Sequence, residues 1–318
     1  MENERFMFRV LEMYYTDEMS QAEIAKKMNV SRATICRTIF KAKQEGHVTI
    51  HIHHPKNSQH VLEEKIERCY GLTESVIASV ERGENIQEKV NHEAVRYLFR
   101  VLKNHMTLGI TWGLTIGSFI EQLKKTQKQL PFHVKDIKVV PFVGTAISNE
   151  ADYLLQKNHA NLYAMELAEI LKGIGYQLPA PMYVSSLEAK KILEDDPLIS
   201  RVIKMTKQAD IGLLPIGQLS EQASIVKSGV LSLENMKQLQ EAGGAGEVLG
   251  NFFCEDGTFL DTDIQGYTIG ISREQLMKIP LRIGIAYGKD RVSAIKGALN
   301  CNIINVLITD SMTAEALL

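Results

Sequence analysis

The chain is short of several things, and each shortage removes a class of function. It has four cysteines in 318 residues, Cys36, Cys69, Cys254 and Cys301, scattered and without a C-x-x-C pair. That argues against a zinc ribbon and against a disulfide scaffold, and it fits a reducing cytoplasm. Long apolar runs are missing too: no stretch approaches the roughly 18 apolar residues that span a bilayer. The opening MENERFMFRV is too charged for a signal peptide, so no membrane partner is expected. Net charge is nearly absent, at −2, so any basic surface must be local. There is no internal repeat, no low-complexity tract, no Gly-Lys-Ser/Thr phosphate loop and no dinucleotide fingerprint. Histidine runs out after His159. What remains is 45% hydrophobic and 23% charged residues, a composition that supports a buried core.

Charge concentrates near the front. Residues 20–56 carry Lys26, Lys27, Arg32, Arg37, Lys41, Lys43 and Lys56 against only Glu23 and Glu45. The pattern there predicts three helices. Residues 4–15 place Phe6, Val10 and Tyr14 at every fourth position. Ser20, with Glu23 three residues on, forms a capping box ahead of Ile24, Ala25 and Met28. Asn29 allows a sharp turn. Ser31 then caps a helix with Ile35, Ile39 and Ala42 on its apolar line, and Gly46 ends it. Two short helices joined so tightly form a helix-turn-helix, whose second helix can enter a major groove. On this reading Arg32, Thr34, Cys36 and Arg37 approach base edges, while Ser31, Lys41 and Lys43 meet phosphates. Phe40 falls outside the apolar line. The alternation in HVTIHIHH predicts a strand that serves as a wing. His51 and His53 share one face of it, but two ligands without a third do not make a metal site.

HPKNSQH, with Pro55, marks a linker. The expected division is a winged helix-turn-helix over 1–54, a linker over 55–60 and a large domain over 61–318. After a helix with Leu62 and Ile66, strand-like runs appear at SVIASV, MTLGIT, IKVVPFVG, DIGLLPIG, LRIGIAYG and NIINVLIT, with long helical stretches between most of them. That alternation predicts an α/β domain around a mostly parallel sheet, with ligands at the carboxyl ends of the strands.

GITWGLTIG sits at one such strand end. Gly109 and Gly113 let backbone amides approach a ligand, Thr111 and Thr115 are short, and a helix N-terminus follows. The stretch reads as an anion cradle, a plain packing turn, or a G-x-T-x-G variant of the nucleophile elbow. The elbow needs a base and an acid, and His159 has no obvious acidic partner. A second loop, Gly288, Lys289, Asp290 and Arg291, puts two cations at a helix start with Asp290 as its cap, which suggests an anionic ligand. In GGAGEVLGNFF the glycines follow a helix, and Glu247 lies near a strand start, where a carboxylate can accept from sugar hydroxyls, cap or form a salt bridge.

Together these motifs resemble the SorC family of sugar-binding bacterial transcriptional regulators. The front matches the family's helix-turn-helix at Gln21, Ile24, Ala25, Ser31, Arg32 and Arg37. The G-x-[ST]-W-G loop is matched by Gly109, Thr111, Trp112 and Gly113. The acidic glycine motif is matched by Gly246, Glu247, Val248 and Gly250, and the closing segment AIKGALNCNIINVLITDSMTAEALL is similar as well. The resemblance implies an effector domain of the NagB/RpiA/CoA transferase-like fold, related to sugar-phosphate isomerases and deaminases but without their catalysis, and needing no cofactor. It implies a phosphorylated sugar held at Thr111, Trp112, Gly113, Leu114 and Thr115. Gly144 and Asn161 would line the pocket, and Glu247 with Lys289 or Arg291 would hold the other end. It also implies operator DNA as partner and self-association as dimer or tetramer. Here Gly144-Thr145 replaces two glycines, Arg291 stands where lysine is usual, and Val143 occupies a site that is polar or basic in some relatives. The alternative is an active isomerase or deaminase with a DNA-binding appendage, for which Glu247 is the candidate base.

Overall fold

In the computed structural model, which describes residues 2–49, 59–126, 134–146 and 159–318, the front helices are α1 (Glu2–Tyr15), α2 (Gln21–Met28) and α3 (Arg32–Gln44). The capping box forms as the spacing predicts. Ser20 Oγ accepts from the Glu23 N–H at 3.3 Å, and the Glu23 carboxylate accepts from the Ser20 N–H at 2.9 Å. Asn29 takes the left-handed conformation, with φ 54°, and turns the chain into α3. Ile24, Ala25, Ile35, Ile39 and Ala42 close a small core with Met7, Val10, Leu11 and Met13 of α1. The face of α1 therefore differs from the expected line. Phe6 and Tyr14 only flank the core, because every fourth residue drifts about 40° per step on a helix and Val10 alone stays centred. Of the expected wing strand, His47–Thr49 form no strand, and the rest, including His51 and His53, lies outside the described residues.

The chain divides into two units, Met1–Lys56 and Asn57–Leu318. In the second, β1 (Glu74–Ala78), β2 (Thr107–Ile110), β3 (Lys138–Pro141), β4 (Ile174–Gly175), β5 (Ile211–Pro215), β10 (Leu281–Ile285) and β11 (Val306–Asp310) form one parallel sheet in the order β1-β11-β10-β5-β2-β3-β4. Successive residues alternate between two cores. Ile211 and Leu213 face one layer with Ile283, Val306 and Ile308, while Leu214 and Leu307 face the other. Helices cover both faces, which is why the strands read as continuous apolar runs. A smaller antiparallel sheet, which the sequence pattern did not reveal, runs β6 (Gly217–Gln218), β7 (Gly244–Val248), β8 (Asn251–Cys254), β9 (Phe259–Leu260).

Two features fix the sheet's centre and edge. Gly109 of β2 and Gly212 of β5 are register partners, and together they form a slot for the Phe142 ring. A Cβ on Gly109 would lie 1.8 Å from Phe142 Cζ. The glycine that was expected to admit a ligand thus admits a neighbouring ring. At the edge, α4 (His60–Tyr70) satisfies the outer amides of β1: Glu67 accepts from the Ser75 N–H at 2.7 Å and Glu63 from the Ile77 N–H at 2.9 Å. Carboxylates in this position block pairing with another strand. No helix among the described residues is long and apolar enough to cross a membrane.

Candidate functional site

Helix α3 leaves side chains exposed on either side of Phe40, away from the small core. Arg32, Cys36, Arg37, Lys41 and Lys43 are exposed on this helix, and the Arg32 and Arg37 side chains have no ion-pair or hydrogen-bond partner among the described residues. Lys41 pairs loosely with Glu45, at 3.6 Å. Ser31 and Thr34 are engaged with each other. The Thr34 N–H donates to Ser31 Oγ at 3.1 Å and the two hydroxyls lie 2.9 Å apart, so Thr34 supports the cap. Gln21 is half-buried at the first turn of α2, and Phe40 stands 61% exposed on α3.

In the large unit, the chain passes from β2 to β3 and β4 on one side, then returns to place β5 on the other side of β2. The gap outside the carboxyl ends of β2 and β5 is the sheet's switch point, the place where open α/β sheets take ligands. A cavity of about 190 Å³ opens there. Thr111, Trp112, Gly113, Leu114 and Thr115 from the loop after β2 form one wall. Gly113 takes φ 103°, which lets the chain turn into α6 (Leu114–Thr126). The first helical bond runs from the Gly117 N–H to the Gly113 carbonyl, so the amides ahead of it have no acceptor within the helix. The Tyr163 hydroxyl donates to that carbonyl at 3.3 Å and holds the turn. Amides and helix dipole together make this wall attractive to an anion.

The facing wall comes from Pro215–Gln218, Ser220, Gln222, Ala223, Ser224, Glu247, Leu249 and Arg291. Among the described residues Arg291 is the one cation lining the cavity, and no carboxylate lies within ion-pair distance of it; its guanidinium sits 5.6 Å from the Tyr287 ring centre. Glu247 is the next-to-last residue of β7, where a strand start was expected. Its carboxylate accepts from the Gly250 N–H at 2.9 Å, and burial pushes its pKa up to about 7 against that bond. Gly217 packs so closely that a Cβ there would lie 2.5 Å from Glu247 Oε1. Ser220 Oγ is buried and makes no hydrogen bond among the described residues. Ser220 lines the cavity, but this oxygen is closed off from it.

Other expected residues are placed elsewhere. Gly109 lies within β2 under Phe142. Gly144 packs against Ala180 and Pro181, where a Cβ would meet their carbonyls at 2.5 and 2.4 Å. Asn161 is a buried brace: its amide donates to Thr145 Oγ1 and to the Leu178 carbonyl, both at 2.9 Å, and accepts from the Leu178 N–H at 2.7 Å. Lys289 is exposed and off the cavity wall. Asp290 does not cap the following helix. It lies in the 3₁₀ turn Lys289–Arg291, and Arg291 holds the cap position without a side-chain bond. His159 caps the helix Ala160–Ile170, its Nδ1 accepting from the Leu162 N–H at 3.3 Å, and it does not line the cavity. Thr111 therefore has no histidine beside it there, and the elbow arrangement is not assembled among the described residues.

Comparison with known proteins bears on the family and the fold. Residues 54–318 match the family model described as "Putative sugar-binding domain", and residues 8–45 match Sigma-70, region 4. The crystal structure of the full-length sorbitol operon regulator SorC from Klebsiella pneumoniae superposes with a TM-score of 0.72 at 25% identity, covering 98% of each chain. This chain belongs to the SorC family of sugar-binding transcriptional regulators. Its relatives include the deoxyribonucleoside regulator of Bacillus subtilis, 28% identical over 99% of this chain and 98% of that one. The sorbitol operon regulator of K. pneumoniae is 26% identical with the same coverage. The cavity wall also includes Gln218, Ser220, Gln222 and Ser224, which the sequence pattern does not mark. No glycine or charge flags them, and the cavity places them only because β5 returns beside β2.

Proposed function

We propose that this regulator binds operator DNA through α3 and that a phosphorylated sugar in the switch-point cavity controls that binding. The observation that carries the proposal is the cavity itself: helix-start amides with no acceptor within their helix on one wall, and on the other Arg291, which has no ion-pair partner among the described residues. The phosphoryl group goes to the amides of Gly113, Leu114 and Thr115. Sugar hydroxyls face Glu247, Ser220 and Arg291. Gly144, Asn161 and Lys289 act behind or outside this wall. The relatives' names, a deoxyribonucleoside regulator and a sorbitol operon regulator, support control of a carbohydrate-utilisation operon.

On the DNA side, Arg32, Cys36 and Arg37 approach base edges, and Gln21, Ser31, Lys41 and Lys43 contact the backbone. The protein acts as a dimer or tetramer in the cytoplasm, reading two half-sites about 34 Å apart or a multiple of that. The effector works by binding one arrangement of subunits more tightly than another. On this reading the cavity binds without turnover; the lack of a histidine beside Thr111 among the described residues supports it, and Glu247 is the one wall residue that the rival isomerase reading could use as a base. Fluorescence anisotropy with a duplex from the regulator's own promoter, with and without pentose and hexose phosphates, tests the proposal. A change in DNA affinity with a phosphorylated sugar, and none with its unphosphorylated parent, is the expected result. Steady conversion of any of these compounds at enzymatic rates would overturn it.

A further inference from the structure

Arg291 closes the 3₁₀ turn Lys289–Arg291, and the Gly288 peptide ahead of that turn is hydrogen-bonded on both sides. The Gly288 N–H donates to Asp310 Oδ2 at 3.0 Å and to Thr313 Oγ1 at 2.9 Å. The Gly288 carbonyl accepts from the Arg291 N–H at 3.0 Å. Gly288 takes φ 95°, and a Cβ there would lie 2.6 Å from the Asp290 carboxylate. One glycine therefore links a distant acid to the residue that carries the cavity's cation.

Asp310 ends β11 and is fully buried. Its Oδ1 accepts from the Thr313 N–H at 3.0 Å, capping the helix Ser311–Leu317. Its Oδ2 accepts from the Thr313 hydroxyl at 2.5 Å as well as from Gly288. No lysine or arginine among the described residues pairs with it. Burying a carboxylate without a cation is costly, and serine or asparagine would cap a helix equally well. The backbone cap occupies Oδ1; Oδ2 is shared between the Thr313 hydroxyl and the Gly288 N–H. We propose that Asp310 is a positioning residue for effector binding, fixing through Gly288 the turn that aims Arg291 into the cavity. The proposal rests on the cavity being the effector site.

The test is a double-mutant cycle read by Trp112 fluorescence, with a pentose 5-phosphate, a hexose 6-phosphate and inorganic phosphate as probes. Asp310→Asn keeps the cap but can turn an amide donor toward the Gly288 N–H. It should weaken binding about tenfold, the scale of a lost hydrogen bond to a charged group. In an Arg291→Ala background the same change should alter binding less than about twofold. Equal losses in both backgrounds, or no loss in either, would overturn the proposal. Thr313→Val removes one of the two acceptors of Gly288 and leaves the cap intact. It stands in should Asp310→Asn fail to fold, with a loss of about threefold that again vanishes without Arg291. If the unsubstituted protein binds none of the probes, the functional reading fails, and amide exchange decides the positioning claim alone. Faster exchange at Gly288 and Arg291 in Asp310→Asn, with melting unchanged, supports it; unchanged exchange overturns it.

Discussion

Glu247→Gln should stabilise the large unit at pH 8 and leave it almost unchanged at pH 5. The carboxyl is raised from an ordinary 4.5 to about 7 by burial, so the folded protein holds a proton there that the unfolded chain has already released. The contribution of this group is intact below pH 4.5 and is lost as pH climbs through 7. The gap, at about 1.4 kcal/mol per pH unit, sets a ceiling of about 3 kcal/mol. Glu247 is only half-buried at the cavity wall, and water in the cavity trims this to about 2 kcal/mol. Glutamine keeps an acceptor for the Gly250 N–H and has no charge to desolvate. Urea unfolding, followed by the fluorescence of Trp112, reports the large unit alone, because this is the chain's one tryptophan. The Gln-minus-Glu difference should grow by about 1.5 kcal/mol between pH 5 and pH 8, since the unfolded carboxyl is already mostly ionised at pH 5. A difference that stays constant with pH would refute the assignment of a desolvated carboxyl to this wall. The same chemistry bears on the ligand. Hydroxyl donors favour the charged form, so effector binding near pH 7 should release a proton from Glu247.

Gly109→Ala should destabilise the large unit by about 3 kcal/mol or prevent folding, since the new methyl would overlap the Phe142 ring; Phe142→Leu in the same chain should restore part of the loss in urea midpoint. Lys43→Ala should weaken binding to all DNA sequences alike and lower the salt slope by about one, measured by anisotropy across salt concentrations. Arg37→Ala should instead cost about 1–3 kcal/mol on the operator and erode its advantage over altered sites. Thr111→Val removes the hydroxyl but keeps the amide wall, so probe affinity should change by no more than a few-fold; loss of a covalent adduct on substitution would restore the elbow reading.

Local chemistry was legible because it is local. Ser20 with Glu23, Asn29 and Ser31 write their caps and turn within a few residues, and the structure forms each one. The apolar runs of the parallel strands were equally plain, since a sheet covered on both faces tolerates no polar alternation. What could not be read depends on partners far along the chain. Gly109 is explained by Phe142 and Gly212, Asn161 by Leu178 and Thr145, and the seat of Arg291 by Asp310. Asp290 looked like a cap because it stood before an apolar run, yet the chain winds a 3₁₀ turn first and the acid never reaches the helix start. The cavity itself belongs to this second kind: its two walls, Thr111–Thr115 and Pro215–Ser224, meet only because β5 lies beside β2.

Trp112 lies on the cavity wall and is 8% exposed, so its emission reports occupancy directly. Titrating the full-length protein with a set of phosphorylated sugars, each beside its unphosphorylated parent, tests the central claim. A saturable change with at least one phosphorylated sugar, abolished by excess inorganic phosphate and absent with the parent sugar, is predicted. Emission that stays flat throughout the set, or that responds equally to sugar and sugar phosphate, would contradict it.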